Sequence, residues 1–262
     1  LKFDLTIDQR KAIKDIEKDL TSKERMFRLI QGDVGSGKTI VSLIAALNTI
    51  KSGYQVALMV PTEILAKQHY NFSSKFFNED INVDLITRKT DRLNKKLILK
   101  NLENNKINLI IGTHSLFQKK VKFKKLGLII IDEQHKFGVN QRNKILSKGN
   151  NIHLLLLTAT PIPRSLTMTN YGDLDLSIIS ELPKNRKMIV TKAIPLERYD
   201  EIIKAIGRAL KRSEKVYWIC PLLEMSEKLD MTALQKRYEI LSKIFEVYNP
   251  VLAHGKMTKE DR

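Results

Sequence analysis

The chain has 262 residues, 42% hydrophobic and 29% charged, enough apolar side chains for a sizeable core in one large or two modest domains. A single cysteine, Cys220, excludes an internal disulfide and agrees with a reducing, cytoplasmic setting. No apolar stretch approaches the ~20 residues that span a membrane, and Leu1-Lys2-Phe3-Asp4 runs into a charged helix without a secretory signal.

Starting on Leu rather than Met points to a piece of something longer. The formal net charge of +17 points to a polyanionic partner, since such a surface attracts nucleic acid over distances set by salt screening. The competing account is a lysine-rich composition throughout. The densest basic run, Lys119 to Lys125, alternates charge with Val121 and Phe123 and reads as an exposed edge.

In chain order, Asp8 to Leu20 carries Ile13, Ile16 and Leu20 between charges, which predicts an amphipathic helix. Met26 to Thr39, MFRLIQGDVGSGKT, is an apolar run that becomes a glycine-rich loop and then the helix-like TIVSLIAALNTI. Its octet Gly32-Asp33-Val34-Gly35-Ser36-Gly37-Lys38-Thr39 fits G-x-x-x-x-G-K-[ST], a loop whose backbone N–H groups cradle a nucleotide's phosphates. Gly35 and Gly37 permit backbone angles and close approaches that a β-carbon would block. The motif puts Lys38 on the β- and γ-phosphates and Thr39 on Mg²⁺, with the following helix N-terminus facing the anion. A chance glycine-rich turn competes with this, but a strand-like run before the octet and a helix after it weigh against chance.

Further strands are predicted at Val56–Val60, Val83–Thr87, Leu109–Gly112, Leu128–Ile131 and Leu154–Thr158, beside Arg28–Gln31 in the apolar run above. Several are continuous Leu/Ile/Val runs, as expected of strands buried on both faces of a parallel sheet. The fold class is α/β, doubly wound, with ligands at the carboxyl ends of the strands. Leu128 to Ile131 ends in Asp132-Glu133-Gln134-His135. In a nucleotide hydrolase the first acid helps hold Mg²⁺ and the second orients and deprotonates the attacking water. An Asp-Glu pair after an apolar run is common in structural roles, and the upstream phosphate loop is what favours catalysis.

Other strand ends carry hydroxyls: Pro61-Thr62-Glu63, Gly112-Thr113-His114 and Thr158-Ala159-Thr160-Pro161. Each is also explained by a strand-to-helix turn with a threonine cap. Together on one edge of a basic domain, they suit a track of phosphate contacts that positions a strand without reading its sequence.

The set LTIDQ, GDVGSGKT, PTEILAKQH, GTHSLFQ, DEQHKFGVNQR and LTATPIPRSL, in this order, resembles the superfamily 2 helicases of the DExH type. Within them it is similar to the RecG family of bacterial helicases, which remodel stalled forks and Holliday junctions. GDLDLSIISELPKNRK, VYWICPLLEMSEKLD and HGKM extend the resemblance over essentially the whole chain. It implies a P-loop NTPase domain of RecA-like type over 1–182, with a parallel sheet. The truncated start of a second RecA-like domain then follows over 183–262, with a strand at Val216–Ile219 and a helix near Thr232–Phe245.

By residue, the resemblance implies Gln9 as the reader of the adenine edge and Lys38, Asp132, Glu133 and His135 as catalytic. It places Thr158 and Thr160 in coupling, and Thr62, Glu63, Gln68, His69, Thr113 and His114 on the DNA side. Arg142 lies in a family motif without a role that charge alone defines. ATP and Mg²⁺ are the implied cofactors, branched DNA the partner, a cytoplasmic monomer the expected state. The arginine finger and the branch-recognising wedge domain of that family lie outside these residues, so weak hydrolysis and no unwinding are expected of this piece alone.

Two alternatives stand beside this reading. One is the translocase module of the transcription–repair coupling factor, which shares TATPIPR and a DE-x-H motif followed by FG. The other is a nucleotide-gated DNA-binding module without useful ATPase activity.

Overall fold

The computed structural model describes residues 4–118, 120–133, 152–160, 174–181, 183, 189–220, 227–254 and 257. The chain divides into two compact units, Leu1–Lys187 and Met188–Arg262.

In the first unit, α1 (Ile7–Thr21) starts with a capping box. Thr6 accepts the Gln9 N–H and the Gln9 side chain accepts the Thr6 N–H, satisfying backbone donors that a helix start leaves open. β1 (Phe27–Gly32), α2 (Lys38–Lys51), β2 (Gln55–Met59), α3 (Glu63–Phe77), β3 (Val83–Ile86), α4 (Arg92–Glu103), β4 (Leu109–Gly112), β5 (Leu126–Ile131), β6 (His153–Thr158) and β7 (Asp175–Ile179) follow. The seven strands form one sheet in the order β3-β4-β2-β5-β6-β1-β7, and every described pairing is parallel.

The continuous apolar runs are buried on both faces because side chains alternate across a strand. Ile30, Leu58, Ile130 and Leu155 join one cluster with residues of α1, α2 and α3, while Leu29, Met59, Ile129 and Leu156 join another with residues of α4. Val121 is buried and Phe123 packs on that second cluster, so the Lys-rich run turns its apolar positions inward and leaves Lys120, Lys122, Lys124 and Lys125 outside.

Two anchors fix α1 against the sheet. The Asp8 carboxylate accepts the Ser180 and Glu181 N–H groups, and Glu181 accepts the Ile7 N–H. At the other end Arg28 of β1 donates twice to Asp19 (2.6 and 3.2 Å) and once to Ser177 of β7. Strand β7 is missing from the sequence reading because polar Asp175 and Ser177 leave it only a short, broken apolar run.

The order of the sheet decides where the motifs meet. β6 lies between β1 and β5, and β2 lies on the far side of β5. The ends of β1, β6, β5 and β2 are therefore consecutive on one rim, with Gln31 opposite Thr158 and Met59 opposite Ile131.

The second unit contains α5 (Tyr199–Lys211) and α6 (Glu227–Ile244). α5 is amphipathic, yet Ile202, Ile203, Ile206 and Leu210 are only half-buried. Tyr199 meets Trp218 edge-on at 5.7 Å, and the Arg237 guanidinium stands 5.0 Å from the Tyr199 ring. The strand expected at Val216–Ile219 does not form: Tyr217 and Ile219 are exposed, and no described segment offers the ladder partner that a strand requires. A helix covers the region expected near Thr232–Phe245, starting earlier, at Glu227.

Candidate functional site

β1 ends at Gly32, and the loop to α2 turns through two residues with positive φ, Gly35 at 80° and Gly37 at 89°. Gly37 caps α2 in the left-handed region, and a β-carbon there would fall on the Gln9 side-chain amide. A β-carbon on Gly32 would meet Ser36 Oγ at 2.6 Å and the Ile179 carbonyl oxygen at 2.7 Å. Glycine is therefore demanded by contact as well as by conformation.

Gln9 is 4% exposed and donates from Nε2 to the Ser36 carbonyl at 2.7 Å. The first helix thus holds the loop from behind. This contact escapes sequence reasoning because it joins positions far apart in the chain.

Lys38 is 9% exposed and folds back onto its own loop, donating to the Gly32 and Asp33 carbonyls at 2.7 and 3.0 Å. Burial holds its pKa below the ordinary lysine value, against the opposing pull of Asp132, Glu133 and Asp33. β6 alone separates β1 from β5, so the glycine-rich loop and the end of β5 lie close together on one rim of the sheet. Ser36 Oγ is buried there with no hydrogen-bond partner among the described residues.

Asp132 continues β5, its N–H donating to Met59 of β2. Its Oδ1 accepts the Glu133 N–H at 2.9 Å and its Oδ2 lies 2.9 Å from His69 Nε2. Glu133 sits at φ 52°, a left-handed conformation rare for a residue with a side chain and concentrated at functional sites. His135 and Arg142 lie outside the described residues.

A hard divalent cation carried by a nucleotide needs oxygen donors, with one or two carboxylates and the phosphates sharing its shell. Thr39, half-buried at the start of α2, and Asp132 provide donors of that kind. Among the described residues no cluster of three or more His, Cys, Asp or Glu side chains forms a metal cage. The glycine cradle, the folded-back ammonium and the unpartnered Ser36 hydroxyl fit a phosphate group between Lys38 and Asp132.

At the end of β6, Thr158 is buried and its hydroxyl meets the Thr160 hydroxyl at 2.9 Å, with Thr160 exposed. At the end of β2, Thr62 accepts the Leu65 N–H as a cap for α3, and Glu63 pairs with Lys89 at 3.5 Å. Gln68 is exposed, but His69, the next residue, is 8% exposed and faces Asp132. Consecutive helix positions point about 100° apart, so the pair expected on the DNA side divides between the rim surface and the carboxylate. Thr113 is buried after β4 and accepts the Leu116 N–H through its carbonyl, and His114 opens a 3-10 turn.

A model of the DEAD/DEAH box helicase family matches residues 6–169. The chain is similar to the ATP-dependent DNA helicase RecG of Aquifex aeolicus, 48% identical over all of this chain and 34% of that protein. The ATP-dependent DNA helicase RecG of Thermotoga maritima is 42% identical over the same shares. A solved structure of RecG bound to a three-way DNA junction superposes with a TM-score of 0.80 at 39% identity, covering 100% of this chain and 34% of that one.

The DEAD-box helicase Mss116 bound to ssRNA, 19% identical with a TM-score of 0.66 over 98% of this chain and 57% of its own, shares the fold. The architecture is that of the RecA-like helicase domains. The chain spans about a third of the length of these curated relatives.

Proposed function

Because the chain belongs to the DEAD/DEAH box helicase family, we propose that the rim of its sheet binds ATP·Mg²⁺ and carries part of the DNA track of a helicase that remodels branched DNA. The observation that carries the reading is the buried Lys38 ammonium, held on its own loop and within electrostatic reach of Asp132 and Glu133. The likeness to a RecG structure bound to a three-way junction supports the branched substrate. Its cover of the whole chain supports 183–262 as the opening of a second RecA-like domain.

In this reading Lys38 exchanges two carbonyl contacts for the phosphates. Thr39 and Asp132 hold Mg²⁺, which supplies charge neutralisation to the transferring phosphoryl group. Glu133 accepts the proton of the attacking water, with His135 beside it in the same motif. The Gln9 amide has one N–H and one lone pair beyond its two contacts, enough for an adenine edge. Thr158 and Thr160 couple that site to DNA, which runs over Thr62, Glu63, Gln68 and the loop at His114, with Thr113 buried beneath it.

The test is ATP hydrolysis by the protein containing this chain, with forked or linear DNA, beside Glu133→Gln. Forked DNA is expected to stimulate more than linear DNA, and the substitution to silence turnover while ATP binding persists. Equal stimulation by both DNAs refutes the branched substrate, and turnover indifferent to the substitution refutes Glu133 as the base.

A further inference from the structure

His69 is buried on the inner side of α3, in line with Ala66, Ser73 and Phe77, the positions where that helix meets the core. Its Nε2 stands 2.9 Å from Asp132 Oδ2, while Nδ1 and the Ser73 hydroxyl one turn further are buried without a hydrogen-bond partner among the described residues. An aliphatic side chain would fill this place without leaving polar atoms unsatisfied. The imidazole's one hydrogen bond among the described residues is to the carboxylate.

That contact has a geometric consequence. Asp132 Oδ1 is held by the Glu133 N–H and Oδ2 by His69, so the carboxylate cannot rotate about its last bond without losing one of them. Each oxygen accepts two hydrogen bonds or ligands, so both keep a position for the cation's coordination shell. Partners of this kind orient metal-binding side chains throughout metalloproteins, and losing one weakens metal binding roughly 10–100-fold.

We propose that His69 is a positioning residue for the Mg²⁺ carboxylate: by donating from Nε2 to Asp132 Oδ2 it fixes the orientation in which Asp132 receives the cation of the bound nucleotide. The inference rests on the reading of Asp132 as a Mg²⁺ residue. It also gives α3 two tasks, since the helix begins at Glu63 beside Thr62 and carries His69 on its inner side.

The test is Mg²⁺ titration of a fluorescent ADP complex of this 262-residue chain, with affinity for the same nucleotide in EDTA measured alongside. The variants are Asp132→Asn, His69→Leu and His69→Gln, whose amide N–H reaches about as far as Nε2. Mn²⁺ titration followed by electron paramagnetic resonance gives a second, direct readout of the cation.

Asp132→Asn is expected to remove most of the cation's effect on nucleotide affinity. His69→Leu is expected to weaken Mg²⁺ and Mn²⁺ on the order of tenfold, with metal-free nucleotide affinity unchanged and His69→Gln restoring most of the loss. If Asp132→Asn leaves the cation's effect intact, the reading of the site fails and this inference with it. If Asp132→Asn behaves as expected but His69→Leu matches the parent, only the role of His69 falls. Equal loss in the Leu and Gln variants, or loss of metal-free nucleotide binding in both, reduces His69 to packing and overturns the proposal.

Discussion

The two ends of the sheet treat buried polar groups in opposite ways. At the amino end Gln55 is 1% exposed and fully satisfied. Its Nε2 donates to the Leu102 and Ile107 carbonyls and its Oε1 accepts the Lys124 and Lys125 N–H groups. His153, opening β6 at the same end, accepts the Met26 N–H on Nδ1.

At the carboxyl end Ser36 Oγ and His69 Nδ1 are buried without partners among the described residues, and Lys38 leans on its own loop. Buried polar atoms are nearly always satisfied. The amino end is thus completed by the fold, and the carboxyl end keeps hydrogen-bonding capacity for a ligand.

The largest effect expected is at the completed end. Gln55→Leu leaves two carbonyls and two N–H groups without their partner, at about 1–3 kcal/mol for each that water fails to reach. A loss of about 4 kcal/mol in urea denaturation is expected, with the nucleotide affinity of whatever remains folded unchanged. Weakened nucleotide binding in folded Gln55→Leu would erase the contrast between the two ends.

Lys38→Met should do the reverse. Losing charge-assisted contacts to phosphate lowers ATP affinity roughly tenfold to a hundredfold, as read by fluorescence titration. Folding stability holds or rises slightly, because burial depresses the Lys38 pKa and its charged form is the disfavoured one in the native state. A large drop in stability would show that Lys38 completes the fold as Gln55 does.

Gly37→Ala acts on both properties at once. The residue must hold φ 89° and push the Gln9 amide aside, at a cost of about 1–2 kcal/mol. Nucleotide binding should weaken with it, because the same displacement frees the loop from α1. Stability lost without any change in affinity would separate Gln9 from the phosphate site.

This contrast explains what could be read from the chain alone. The glycine-rich loop between β1 and α2 and the Asp132-Glu133 pair after β5 are each contiguous in sequence, so their places in the fold were legible, as were the apolar strands between them. Gln9 behind the loop, His69 on Asp132 and Gln55 beneath β4 and β5 are contacts between segments distant in sequence, and no periodicity encodes them. Strand β7 hid for a related reason: its identity comes from pairing with β1 rather than from its own pattern. Val216–Ile219 shows the converse, an apolar run with strand propensity and no described partner.

The smallest expected effect is a pH dependence at the amino end. Burial, reinforced by Arg25 and opposed by Asp19, holds the His153 pKa below its ordinary value near 6.5. The Met26 N–H on Nδ1 requires that nitrogen to be an unprotonated acceptor, so the hydrogen bond and the shift point the same way. Between the lowered native pKa and 6.5 the unfolded chain binds more protons than the folded one, and stability therefore rises with pH across that window. The contribution of His153 is fully present above 6.5 and is lost as pH falls through its native pKa. His153→Gln, which keeps an acceptor but cannot titrate, should flatten this part of the stability profile in urea denaturation between pH 5 and pH 8, and nucleotide affinity at neutral pH should not move. An unchanged slope in His153→Gln would assign the acid sensitivity elsewhere. A change in nucleotide affinity would mean that the two ends of the sheet are coupled through β6, and the division drawn from Gln55 and Lys38 would fail.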